Sequence, residues 1–158
     1  GLNMKKIYKV IDPFGVAFVY EKIDHPEYKY RMVENYSVKL HFSPKENVIW
    51  DFYHFLTNGN LTLFEGYMWY GVSGPMLDTE NTMRPGGIHD SGYRIIRRGH
   101  MPVDSKTDWD IAFKINMKED LKPITIFGSM WNWVRSEYAY QGVNLFGASS
   151  GRPPDYKE

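Results

Sequence analysis

Three observations predict an α+β fold, an N-terminal antiparallel β-sheet with hairpins followed by two or three C-terminal helices. The first seventy residues are rich in β-branched and aromatic residues, punctuated by turn formers at Asp12-Pro13, His25-Pro26, Ser43-Pro44 and Asn58-Gly59. The second half changes character, and from Pro123 the apolar residues Ile124, Phe127, Trp131, Val134 and Tyr138 recur at three- and four-residue steps instead. The chain has 158 residues, of which 42% are hydrophobic and 24% charged, enough for one real core and too apolar for disorder.

The expected strands are Lys5 to Ile11, Val16 to Lys22, Tyr36 to Phe42, Val48 to Thr57 and Leu61 to Tyr70. In the third, Val38, Leu40 and Phe42 alternate with Ser37, Lys39 and His41, the pattern of a strand with one wet face. Asn58-Gly59, between Leu56 and Leu61, predicts a hairpin closed by a type I′ turn, because both central positions of that turn need positive φ. The first helix is expected over Met83 to Arg98, with Gly99 as its stop. Gly86, Gly87 and Gly92 each weaken such a helix by about 1 kcal/mol, so something must pack closely against it. A second helix should start at Ser105, with its hydroxyl as cap and Asp108 at the third position, and run to about Met117. A third should start near Pro123 and bury Ile124, Phe127, Trp131, Val134 and Tyr138. One domain over residues 4–146 is expected, with Gly147 to Glu158 a Gly/Ser/Pro-rich tail or arm. Gly1-Leu2-Asn3 are read as foreign or processed residues before a native Met4.

Composition narrows the function. Nineteen basic and nineteen acidic residues give zero formal charge, which removes the counterion-release attraction behind bulk nucleic-acid binding. Cysteine is absent, so stability comes without disulfides and any metal site must use oxygen or imidazole ligands. No apolar run approaches a membrane span, and no cationic segment with an apolar core marks a signal peptide. The missing cysteine leans towards a reducing compartment such as the cytoplasm, and the expected partner is an unknown small molecule or protein. Aromatics reach 16%, which serves a core or a binding surface equally.

Chemistry-bearing residues concentrate in three stretches. They are Gly71-Val72-Ser73-Gly74-Pro75-Met76-Leu77-Asp78, then Arg84 through His89-Asp90 to Tyr93, then Asp108 to Phe113. On a helix His89 and Tyr93 share a face, while Asp90 points about 100° away. An imidazole becomes a general base when a carboxylate fixes its tautomer. Asp110 is the preferred carboxylate, because Asp108 already has a capping role whereas aspartate in mid-helix needs another reason. Asp90 could join carbonyls of the Gly71 to Gly74 loop around calcium, a cation that takes such mixed oxygen ligands. Ser73, Asp78 and Arg84 complete the polar set.

Two resemblances enter at these residues. Gly71-Val72-Ser73-Gly74-Pro75, Arg84 to His89-Asp90-x-x-Tyr93, Asp110-x-x-Phe113 and Val134-Arg135 resemble domain of unknown function family 1353, small phage and prophage proteins without an established activity. Tyr70 stands where that family usually has an aspartate. The order over residues 70–113 is also similar to the phospholipase A2 superfamily, with its glycine-rich calcium loop, His-Asp-x-x-Tyr and later helical aspartate. That resemblance implies that His89 activates water, Asp110 orients His89, Tyr93 supports Asp110, and Asp90 with the Gly71 and Gly74 backbone binds calcium. Departures are the missing cysteines and Pro85-Gly86-Gly87 in place of a regular turn of helix. The expected function is an uncharacterised phage-type protein with a His/Asp hydrolase site. The alternative is a non-catalytic phage accessory or binding module in which the same residues form a buried polar network.

Overall fold

The computed structural model describes residues 6–71 and 80–120. Over them the chain is α+β: eight short strands in two antiparallel four-stranded sheets, then two helices. It divides at Gly71 into two compact units, 1–71 and 72–158.

In the first unit one sheet is ordered β1 (Ile7–Ile11), β2 (Ala17–Lys22), β3 (Tyr30–Met32), β8 (Met68–Trp69). The other is ordered β4 (Tyr36–Lys39), β7 (Asn60–Leu63), β6 (Tyr53–Phe55), β5 (Val48–Ile49). The predicted alternation holds in and beyond β4, with Val38 and Leu40 buried and Ser37, Lys39 and His41 exposed.

Two sharp turns of this unit, β1 to β2 and β6 to β7, are built alike. Between β1 and β2, Gly15 donates to the Asp12 carbonyl at 3.0 Å and Asp12 N–H to Val16 at 2.9 Å, with Gly15 at φ +83°. The buried Asp12 carboxylate accepts the N–H groups of Phe14 and Val16 and the Tyr36 hydroxyl at 2.9, 2.8 and 2.7 Å. Between β6 and β7 the hairpin predicted at Asn58-Gly59 is present, but its turn is not type I′. Gly59 donates to Leu56 at 2.8 Å and Leu56 to Asn60 at 2.9 Å, and only Gly59 has positive φ, +89°. This is the three-residue loop with a glycine bulge, which asks for one left-handed position where type I′ asks for two.

Two expected long strands are each two short ones. The run Val48 to Thr57 turns where Trp50 N–H meets the Tyr53 carbonyl at 2.9 Å, separating β5 from β6. The run Leu61 to Tyr70 turns at Phe64–Tyr67, where Gly66 takes φ +91° and lets β8 join the other sheet. Strand β3 was not among the expected ones. The aromatic residues prove to be core here: Phe18, Tyr53, Phe55, Tyr67 and Trp69 have no exposed surface. Phe18 meets the rings of Tyr36 and Trp69 edge-on at 5.2 and 5.6 Å, the geometry that aromatic quadrupoles favour.

The second unit contributes α1 (Glu80–Arg97) and α2 (Lys106–Asp120). Helix α1 ends as predicted at Gly99, which has φ +78°. Gly99 N–H bonds Ile96 at 2.9 Å and His100 N–H bonds Ile95 at 3.0 Å, a Schellman pair that satisfies two terminal carbonyls. The expected Ser105 cap is not formed. The Ser105 hydroxyl donates to the Pro102 carbonyl at 2.7 Å and closes a 3₁₀ turn, Val103–Ser105, so α2 starts at Lys106. Gly92 has the reason predicted for it, because a Cβ there would lie 2.0 Å from Cδ2 of Trp109, whose indole is fully buried against the bare backbone.

From Thr82 to Ile96 every residue of α1 is buried except Asp90. Arg84 has no exposed surface, and its charge is met by the end of α2. Its Nε donates to both Asp120 oxygens at 3.0 and 2.9 Å, and its Nη2 to Asp120 and to Glu119 at 2.8 and 2.9 Å. Such pairing is what a buried guanidinium requires. The expected helix from Pro123 and the tail from Gly147 lie outside the described residues.

Candidate functional site

His89 and Tyr93 stand one turn apart on α1, and their rings are 4.2 Å apart between centroids. Asp110 faces them from α2. Its Oδ1 lies 2.6 Å from Nε2 of His89 and accepts the Tyr93 hydroxyl at 2.7 Å. Its Oδ2 accepts Nζ of Lys106, one turn earlier on the same helix, at 2.6 Å. Phe113 meets the imidazole edge-on, with ring centroids 5.3 Å apart. The residue choices made from helical spacing, His89 with Tyr93 and Asp110 rather than Asp108, are thus the ones brought together. Lys106 was not foreseen, although its four-residue spacing from Asp110 was a signal that could have found it.

Asp110 is 1% exposed, so its charge must be stabilised from within. Burial alone would raise its pKa, but the hydrogen bonds from His89, then Lys106, and with them Tyr93, outweigh burial and hold the carboxyl below its ordinary value. Burial, followed by the bond to Asp110 and the charges of Asp110 and Asp90, drives the Tyr93 phenol far above its ordinary value. Tyr93 is therefore a permanent donor. An ionised carboxylate only accepts, so the bond to Asp110 assigns the proton to Nε2 of His89 and leaves Nδ1 of the neutral ring unprotonated. Nδ1 makes no hydrogen bond among the described residues. What the arrangement can do chemically is take a proton at Nδ1 while Asp110 stabilises the resulting imidazolium.

No family model, curated protein or solved structure matches the chain.

The remaining predicted site residues fall in three groups. Arg84 belongs to the ion pair with Asp120 and Glu119 at the end of α2. Ser73, Gly74 and Asp78 lie outside the described residues. Gly71 is buried with φ +109°, a left-handed backbone suited to glycine, and Asp90 is half-buried. Among the described residues no three His, Asp or Glu side chains cluster as metal ligands. Nor, among them, is any helix long and apolar enough to cross a membrane.

The lowered Asp110 pKa has a defined effect on stability. A carboxyl whose folded-state pKa is depressed stabilises the fold above its unfolded value and loses that contribution as pH falls through the folded value. The stability gap between wild type and Asp110→Asn should therefore be widest near neutral pH and close progressively below about pH 4, the ordinary carboxylate range. Urea denaturation of both proteins across that range checks it. A gap that widens on acidification contradicts the ionised, paired carboxylate.

Proposed function

We propose that the chain is a phage-type hydrolase in which His89 activates a water molecule for attack on a carboxylic ester. The observation that carries this reading is the His89 Nε2 to Asp110 Oδ1 contact of 2.6 Å. It occupies one imidazole nitrogen with a buried carboxylate and leaves the other as a base. The same division of labour is what the resemblance to the phospholipase A2 superfamily implies. In this mechanism Nδ1 takes the proton of the attacking water, and Asp110 offsets the positive charge that develops on the ring. Tyr93 and Lys106 hold Asp110. The proton then passes from Nδ1 to the leaving alkoxide as the tetrahedral intermediate collapses. Calcium, which the phospholipase A2 resemblance implies with Asp90 among its ligands, would supply polarisation of the ester carbonyl, and no step above depends on it.

A second reading is favoured by burial. His89, Tyr93 and Asp110 are 5%, 2% and 1% exposed, as in a network that ties two helices together and serves a non-catalytic phage accessory module. Calcium titration of the melting temperature, with Asp90→Asn and a magnesium control, combined with an ester-hydrolysis assay, separates the two. A ligand of the native state at one hundred times its Kd adds about 2.7 kcal/mol, or about 5–10 °C for a chain of this length. The hydrolase reading expects ester turnover in wild type, and its calcium component expects that rise in wild type but not in Asp90→Asn. No turnover, no response to calcium, and a lower melting temperature for Asp90→Asn alone would establish the network reading.

A further inference from the structure

We propose that Lys106 is a positioning residue, which fixes the tautomer and orientation of His89 by holding the far oxygen of Asp110. The inference rests on the hydrolase reading for the use made of Nδ1, while the geometry it invokes is independent of that reading. Lys106 reaches from a side chain that is 25% exposed to a carboxylate that is 1% exposed. Its ammonium also lies 5.9 Å from the centroid of the Tyr93 ring, at the outer edge of cation–π range.

Helix energetics give Lys106 no reason to be there. It is the first residue of α2, where the positive end of the helix dipole disfavours a cation. Lysine four residues before an acid is also the weaker order for a helical ion pair. The function of the contact is better sought at Asp110. The terminal torsion of an aspartate is broad and nearly two-fold, so an unheld carboxylate can offer either oxygen to its neighbours. With Oδ2 occupied by Lys106, Oδ1 alone receives both the Tyr93 hydroxyl and the His89 Nε2 proton. The titratable groups around the imidazole among the described residues are Asp110 and Lys106 of α2 and Tyr93 of α1, with Asp90 adjacent in sequence.

The test uses the full chain labelled with nitrogen-15. In wild type the ring spectrum of neutral His89 should show the Nε2–H tautomer with a slowly exchanging proton. Lys106→Met keeps the aliphatic stem and removes the charge. It should speed exchange of that proton about tenfold, the loss expected for one charged hydrogen bond, and populate the Nδ1–H form. Lys106→Arg should restore both. A folded Lys106→Met protein with unchanged tautomer and exchange rate would overturn the proposal. Should that variant not fold, the wild-type Lys106 ammonium decides: its protons must exchange more slowly than those of the other lysines, and equal rates overturn the proposal. Ester hydrolysis by the same proteins is read separately, with kcat falling in Lys106→Met at unchanged KM. A shifted tautomer in a protein whose wild type hydrolyses no ester keeps the Lys106 assignment and removes the hydrolase reading.

Discussion

His89→Gln is expected to lower ester hydrolysis by about 10²–10⁴-fold, the usual worth of a positioned general base, while changing stability by less than about 1 kcal/mol. Glutamine is chosen because its amide N–H can replace Nε2 as donor to Asp110, whereas its amide cannot accept a proton from water at neutral pH. The substitution therefore removes the base and spares the bond that measures 2.6 Å in the wild type. Steady-state rates and urea denaturation of the same preparations give the two numbers. The two functional readings diverge here, because a purely structural network has no turnover to lose and should register the change only in stability. Full activity in His89→Gln would remove His89 from the mechanism.

Gly92→Ala carries the largest expected effect on the fold. In an ordinary helix the change would stabilise by about 1 kcal/mol, since alanine loses less backbone entropy than glycine. Here the new methyl would meet three atoms of the Trp109 indole at 2.0, 2.4 and 2.5 Å. These are ring atoms of a side chain with no exposed surface, so relief requires the helices to move apart rather than a flexible end to swing away. Overpacking of this kind costs about 1–3 kcal/mol and occasionally more, and this clash falls at the upper end, giving a net loss of about 2–3 kcal/mol. Urea denaturation of Gly92→Ala, Trp109→Leu and the double variant checks it. The double variant should lose less than the sum of the singles, because the smaller side chain admits the methyl. A stabilised Gly92→Ala protein would contradict the packing.

The polar core of the site was legible in the sequence because it obeys helical periodicity. His89 and Tyr93 are four apart, and Asp110 occupied a helical position with no local role to explain it. Arg84 was seen as polar and chemically interesting, but its partner Asp120 is 36 residues away, and no local pattern announces such a pair. Lys106 was not singled out, although it is the first residue of α2 and its four-residue spacing places it one turn before Asp110 on the same helix. In the sheets, propensity located the strands but not their interruptions. Gly66 was the available mark of a break between Leu63 and Met68, whereas Trp50-Asp51-Phe52 sits within a run of strand-forming residues. Strand β3, three residues long, is too short for alternation to register. Asn-Gly marked the β6–β7 hairpin correctly but not its turn, since the same pair serves a loop in which only the glycine is left-handed.

Arg84 and Gly92 stand on either side of His89 in α1, one gripping the end of α2 and the other seating its tryptophan. Together they act as an index that sets how the two helices are phased. Sliding one helix by a full turn would displace the imidazole from its carboxylate by about 5.4 Å, and deleting a single residue would rotate it by about 100°. The chain between Gly99 and Pro102 lies outside that index, tied to the end of α1 by the bond of His100 N–H to Ile95. Changes of length should accordingly be tolerated at that corner and rejected within the eight-residue interval from Arg84 to Gly92, even where the substituted side chains themselves carry no chemistry.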